Sequence, residues 1–325
     1  MNLGKPAKAV AGVVLGLLAL LGLAYLLIPD QLATWALQAE RDHSNLVRRE
    51  TDIPGFHIVY LEGGSGPPLL LLHGIGADKD NWTGIAGYLV PHFHVIAPDL
   101  PGFGESDKPA DADYGIDAQV ERLAQLAAAL KLQRFDLGGN SMGGWIAAAY
   151  AVAHPDAVHS LWLLDPGGVA AGMQRGEMAA RIREGLPVPL FAQNIRQFRE
   201  VLHFVFVHPP YIPGAVERLL AHRQAQNYAL NLRIFEQLKN SKRTLDAIAK
   251  GLKTPTLIVW GAGDRVLHPA GAEALHALLP NSQVVVMPDV GHLPMTEAPQ
   301  ACANDYLRFR ETIDSSSATT PQAAQ

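Results

Sequence analysis

Cysteine is almost absent from this chain: Cys302 is the only one in 325 residues. An intrachain disulfide and a cysteine-based zinc site are therefore excluded. Basic runs are missing as well. The 26 Lys and Arg residues are outnumbered by 31 Asp and Glu, for a net charge of −5, and they form no cluster. Nothing here would neutralise a phosphate backbone, so no nucleic-acid partner is expected. Charge is sparse overall, at 18% against 48% hydrophobic residues. That balance excludes a disordered chain and supplies a sizeable core. No internal repeat is visible.

Charge disappears altogether across residues 9–28. Twenty helical residues extend about 30 Å, the thickness of a bilayer's hydrocarbon core. A cleaved signal peptide is the competing reading, but the run is long and Tyr25-Leu26-Leu27-Ile28-Pro29 makes a poor cleavage site. Residues 1–29 are thus expected to form a cytoplasmic tip and a transmembrane signal anchor. Lys5 and Lys8 belong on the cytoplasmic side, which places the rest of the chain on the periplasmic face of the inner membrane. Gly12 and Gly16 form a GxxxG pair that would let two spans approach closely, so a homodimer through this region is a possible assembly. Residues 30–50 read as a juxtamembrane helix with Leu32, Trp35 and Ala36 on its apolar face and Trp35 at the membrane interface.

Beyond residue 51 short apolar runs alternate with longer helical stretches. Strands are expected at 57–61, 69–72, 93–97, 135–137, 160–164, 256–260 and 283–287. Helices are expected near 81–90 and at 117–131, 142–153 and 299–312. Near-continuous apolar strands alternating with helices predict an α/β doubly wound, mostly parallel sheet. Residues 51–167 and 251–313 would make this core. The alternation breaks over residues 168–250, which read as a helical cap over the carboxyl ends of the strands, where such sheets bind ligands. Residues 314–325 are Ser-, Thr-, Ala- and Gln-rich and read as a disordered tail.

The strongest chemical signal is Gly139-Asn140-Ser141-Met142-Gly143, a GxSxG pentapeptide between a predicted strand and a predicted helix. That context fits a nucleophile elbow presenting Ser141. A serine hydroxyl needs a base. His292 follows the last strand and suits that role, with His268 as its nearest rival. The acid should follow a strand between the two in sequence. Asp264, just after the strand ending at Trp260, is the first candidate, and Asp165, after the preceding strand, is the second. An oxyanion hole needs two backbone N–H groups. Met142 would supply one and Ile75, in the loop His73-Gly74-Ile75-Gly76, the other, with His73 bracing that loop. The Gly-rich loop at 98–106 lacks the Lys-Ser/Thr ending of a phosphate cradle and reads as structural.

These blocks together resemble the α/β-hydrolase superfamily. HGIGADKDNW (73–82), PDLPGFGESD (98–107), GGNSMGG (138–144), SLWLLD (160–165), PPYIP (209–213) and MPDVGHLPMTEA (287–298) are closer still to one group. They are similar to family V bacterial lipases, membrane-anchored monoacylglycerol lipases and membrane-bound bacterial phospholipases A1. The resemblance covers residues 55–312. It implies a carboxylic-ester hydrolase acting on acylglycerols or phospholipids, with a triad on Ser141, Asp264 and His292 and no metal or organic cofactor. Two other functions stay open. One is a carbon–carbon bond hydrolase of ring-cleavage products, a group that carries a similar elbow. The other is a hydrolase-fold binding module without chemistry.

Overall fold

The computed structural model describes residues 28–318, together with Val10, Val13, Val14, Tyr25 and Leu27. The expected span at 9–28 and its Gly12/Gly16 pair thus lie almost entirely outside the described residues. Among those that are described, no helix is long and apolar enough to cross a membrane.

The first described helix, α1 (Pro29–His43), opens on a proline, whose missing N–H costs nothing at a helix start. It buries Ala33, Leu37 and Arg41, one residue per turn on one face. Of the residues expected on the apolar face, Leu32 is half-buried, Ala36 is exposed and Trp35 is 61% exposed. The helix is also shorter than the expected 30–50. The chain turns at Asn45, in a left-handed conformation (φ 54°), and pairs from Val47 onward as β1 (Val47–Ile53). This edge strand, VRRETDI, is antiparallel to β2 (Phe56–Gly63), with Val47 opposite Glu62 and Ile53 opposite Phe56. It carries almost no apolar alternation. Its exposed charges suit an edge, where they discourage pairing with other chains.

The remaining elements follow the expected alternation: β3 (Pro68–Leu72), a 3₁₀ turn (Lys79–Trp82), α2 (Thr83–Leu89), β4 (His94–Pro98), α3 (Ile116–Ala129), β5 (Phe135–Asn140), α4 (Met142–Ala153) and β6 (Val158–Leu164). The chain then leaves the sheet for the cap, α5 (Ala170–Met173), α6 (Gly176–Arg183), α7 (Ile195–Val205), α8 (Gly214–Gln226), α9 (Tyr228–Lys239) and α10 (Leu245–Ile248). It returns as β7 (Thr256–Gly261), α11 (Ala270–His276), β8 (Ser282–Met287), α12 (Pro294–Glu297) and α13 (Pro299–Ala318). Residues 314–318, expected in a disordered tail, are helical.

The sheet has eight strands in the order β1-β2-β4-β3-β5-β6-β7-β8. Only the first two pairings are antiparallel; the rest are parallel. The central strands β5 and β7 are buried at every position because helices cover both faces. Alternate residues feed two cores. Leu70, Leu72 and Leu137 pack with α3 and α4, while Leu69, Leu71 and Trp162 pack with α2 and α13. Tyr306 stacks on Trp162 with ring centroids 4.4 Å apart. Cys302 is fully buried in this second core. A third, smaller contact joins Ala33 and Leu37 of α1 to Ala215 and Val216 of α8, so α1 is held against the cap.

Candidate active site

β5 ends at Asn140 and α4 begins at Met142, leaving one residue to reverse the chain. Ser141 does so at φ 55°, ψ −117°, a left-handed conformation that costs a non-glycine residue about 1–3 kcal/mol. The strain persists because the neighbourhood enforces it. The Ser141 N–H donates to the Leu164 carbonyl, and its own carbonyl accepts from Trp145 and Gly167. Gly139 and Gly143 are required for space: a Cβ at Gly143 would collide with the carbonyls of Leu72 and His73, and one at Gly139 with the Gly143 backbone. The Ser141 side chain thus stands at the positive end of α4.

His292 lies in the loop between β8 and α12. Its Nδ1 is 2.8 Å from Asp264 Oδ2. Asp264 Oδ1 accepts from the N–H groups of Val266 (2.7 Å) and Leu267 (3.0 Å), which fix the carboxylate just past β7. With the proton on Nδ1, Nε2 is left as the acceptor. The His292 backbone is held too. Its N–H donates to Val205 in the cap (2.7 Å), and its carbonyl accepts from the Asn140 amide (2.9 Å), next to Ser141. The neighbouring Gly291 N–H donates to Glu297, whose other oxygen accepts from His208 in the cap. Neither Asn140 nor Glu297 carries a sequence signal beyond lying in these blocks.

The two rivals are accounted for locally. His268 Nδ1 accepts the Ala270 N–H at the start of α11. Asp165 is fully buried at φ 43° and accepts the Gly261 N–H at 2.9 Å. Burial, and then the Asp264 charge, push its carboxyl well above the usual carboxylate range. Asp165, Asp264 and His292 are the only trio among the described residues whose ligand atoms gather closely enough to hold a metal. The hydrogen bonds above already occupy the Asp264 oxygens.

The loop after β3 forms the opposite side. His73 donates from Nδ1 to the Gly74 carbonyl (2.7 Å), and its Nε2 accepts the Leu100 N–H (3.0 Å). Burial lowers its pKa to about 4, so this neutral tautomer persists and braces the loop. Ile75 lies between this brace and the cap, and Met142 opens α4, where a helix leaves its first N–H groups unpaired. Behind the loop lies a charge network without a motif-level signal. The buried Lys79 ammonium contacts Asp99 and Glu105, each at 2.7 Å. Arg41 of α1 grips Asp80 through two 2.6 Å bonds. The loop at 98–106 is tied into this network, where Asp99 also accepts the backbone N–H groups of Lys79 and Glu105.

A cavity of about 1280 Å³ lies over these residues. Ser141, Met142, Ile75 and His292 all line it; Asp264 does not, standing buried behind His292. Cap side chains make one apolar wall, including Met178, Leu190, Phe198, Val201, Leu202 and Val205. A polar stretch carries Gln224, Asn227 and Asn231. Ala36, Leu37 and Glu40 of α1 also reach the cavity.

A family model described as alpha/beta hydrolase fold matches residues 67–299. The chain is 42% identical over 284 residues to Lipase 3 of Moraxella sp. (strain TA144), an overlap of 85% of this chain and 89% of that one. Among solved structures it is similar to a membrane phospholipase A described as a bacterial virulence factor. That match has a TM-score of 0.86 and 40% identity and covers 94% of this chain and 99% of the other. The 2-hydroxy-6-oxo-6-phenylhexa-2,4-dienoate hydrolase of Rhodococcus sp. strain RHA1 shares the fold at a TM-score of 0.72 with 23% identity, covering 82% of this chain and 99% of that one.

Proposed function

The chain belongs to the α/β-hydrolase fold family and is an ester hydrolase of the lipase and phospholipase type; from that premise we propose that it is a membrane-anchored serine hydrolase that releases fatty acids from acylglycerols or glycerophospholipids through an acyl-enzyme. The observation that carries the reading is the Asp264–His292 pair, bonded through His292 to the Asn140 amide next to a strained Ser141, with Ser141 and His292 both lining a cavity with an apolar wall.

In the first half-reaction His292 Nε2 takes the Ser141 proton as Oγ attacks the acyl carbonyl. The developing oxyanion lies against the N–H groups of Met142 and Ile75. Asp264 stabilises the imidazolium. The proton then passes from Nε2 to the leaving alcohol, the ester C–O bond breaks, and the acyl group remains on Ser141. In the second half-reaction water loses a proton to Nε2 and attacks the acyl-enzyme; the acyl C–Oγ bond then breaks as Nε2 returns that proton to Ser141 Oγ, releasing the fatty acid and the free enzyme. Asp165, bonded to the Gly261 N–H, takes no part in this relay.

The charge-free run at 9–28 supports a single-pass anchor, and α1, which follows it directly, lines the cavity with Ala36 and Leu37. An anchor there holds the site within reach of acyl chains that are scarce in water. The catalytic domain faces the periplasm in this reading, and the anchor region is where two copies would pair. A reporter fused after Gln325 that is active only in the cytoplasm would overturn the orientation.

The functional test is fatty-acid release by the detergent-solubilised full chain on monoacylglycerols, triacylglycerols, phospholipids and a ring-cleavage diketone. Ester hydrolysis that vanishes in Ser141→Ala supports the proposal. Diketone cleavage without ester hydrolysis moves the protein to the carbon–carbon hydrolases, which it matches in fold alone.

A further inference from the structure

Asn231 is a polar residue in an unusual place. It sits on α9 in the cap, is 2% exposed and lines the catalytic cavity. Its Oδ1 is buried and pairs with no group among the described residues. Its Nδ2 lies 3.7 Å from the position a Cβ would take on Gly76, the residue after Ile75. The side chain therefore hangs over the loop assigned to the oxyanion. Gln224 of α8 reaches the same place, its Nε2 3.5 Å from the Gly76 carbonyl, and is itself held by the Ala192 N–H on Oε1. Phe191 packs against Gly76 from the side and meets Phe235 edge-on, which fences this polar spot from the rest of the cap.

A buried acceptor without a partner costs about 1–3 kcal/mol, and folded proteins pair nearly all such groups. On α9 it lies one turn after Asn227 and one turn before the apolar Ile234 and Phe235, where the polar stretch of the cavity meets the cap core. The cavity has two kinds of wall, and an ester has two kinds of end. The acyl chain matches the apolar wall of α6 and α7. The alcohol end matches Asn231, Asn227 and Gln224. An amide offers an acceptor and donors side by side, and of the groups on an ester's alcohol portion a hydroxyl is the one that can both donate and accept.

We propose that Asn231 is the centre of a leaving-group subsite that selects esters whose alcohol carries a free hydroxyl, as a glyceryl ester does, over esters of simple alcohols. The inference rests on the ester-hydrolase reading above. Oδ1 accepts from the hydroxyl and Nδ2 donates to it or to its neighbour. An ester lacking that hydroxyl leaves Oδ1 unpaired, and a buried polar group left unpaired is what makes such sites discriminate strongly.

The experiment compares 1-monoacylglycerol with the methyl ester of the same fatty acid, using the solubilised full chain and the variants Asn231→Leu and Asn231→Asp. Asn231→Leu is expected to lower kcat/KM on the glyceryl ester by about 10- to 100-fold and to leave the methyl ester within about twofold. Its thermal midpoint should equal or exceed that of the parent, because an orphaned acceptor has gone. Asn231→Asp, which keeps the acceptor and loses the donors, should fall between the two. Equal losses on both esters would overturn the subsite and assign Asn231 to the acyl or oxyanion half. No loss on either would overturn it as well. Failure of the parent on both esters, with no labelling by a fluorophosphonate, would remove the ester-hydrolase premise and the subsite with it.

Discussion

The two walls of the cavity are built by different means. The core wall is held by the backbone. Ser141 is fixed by a strand end and a helix start, Asp264 by two consecutive N–H groups, and His292 by a carboxylate, a cap carbonyl and the Asn140 amide. The cap wall is made of side chains: an apolar band on α6 and α7, and a polar patch with one unpaired atom at Asn231. Reactivity depends on atoms placed to within tenths of an ångström, which hydrogen-bonded backbone provides. Selectivity depends on shape and polarity, which side chains can vary without disturbing the catalytic groups. The core wall should therefore decide whether an ester is cut, and the cap wall which one.

The largest effects should come from the core wall. Ser141→Ala is expected to lower kcat by about 10⁴-fold or more on every substrate, and Asp264→Asn by about 10³- to 10⁴-fold, without shifting the ranking of substrates. Steady-state kinetics on three acyl lengths would expose the contrary case, a change in ranking.

Arg41→Ala comes next. It leaves Asp80 beside Asp78, whose carboxyl burial has already pushed up to about 6, with the bidentate partner gone. Breaking a pair this buried costs about 3–5 kcal/mol. Denaturant unfolding should register that loss, and kcat should fall more than KM rises, because Asp80 sits on the segment that continues the Ile75 loop. Unchanged stability would show that α1 is merely laid on the core.

A change to the cap should behave in the opposite way. Leu202→Trp narrows the apolar wall and is expected to lower kcat/KM about tenfold for a long acyl chain while sparing a short one. A uniform loss across chain lengths would blur the division between the walls.

The smallest effect is a pH slope. Burial raises the Asp165 pKa in the fold above that of the unfolded carboxyl, which titrates near pH 3.9. Between that value and its raised folded pKa the native state binds more protons, so this group makes stability fall as pH rises. Asp165→Asn removes that slope and keeps an acceptor for the Gly261 N–H. Its stability relative to the parent should be greater at pH 8 than at pH 5, with activity within a few-fold.

The same contrast governs what the sequence discloses. The core was legible because its strands are uninterrupted apolar runs and its elbow needs glycine at fixed positions. α4 begins and ends where its pattern indicates, and Asp264 and His292 come together as their places after β7 and β8 imply. β1 was not legible, because an edge strand with one solvated face and mixed charge shows no alternation. Its loss lengthened the expected helix before it by several residues. On α1 the positions packed on the protein are the small Ala33, Leu37 and the paired Arg41, a face that apolar spacing alone does not single out. Lys79, Asp99 and Asn231 were unreadable for another reason: their partners, or the lack of one, depend on segments far apart in sequence.

The central claim is that Ser141 reacts because His292 and Asp264 activate it. The most direct measurement is the intact mass and labelling rate of the full chain with a fluorophosphonate. The account expects one adduct, mapped to Ser141, absent in Ser141→Ala and formed far more slowly in His292→Ala and Asp264→Asn. An adduct on another residue, or one that forms at the parent rate in His292→Ala, would contradict it.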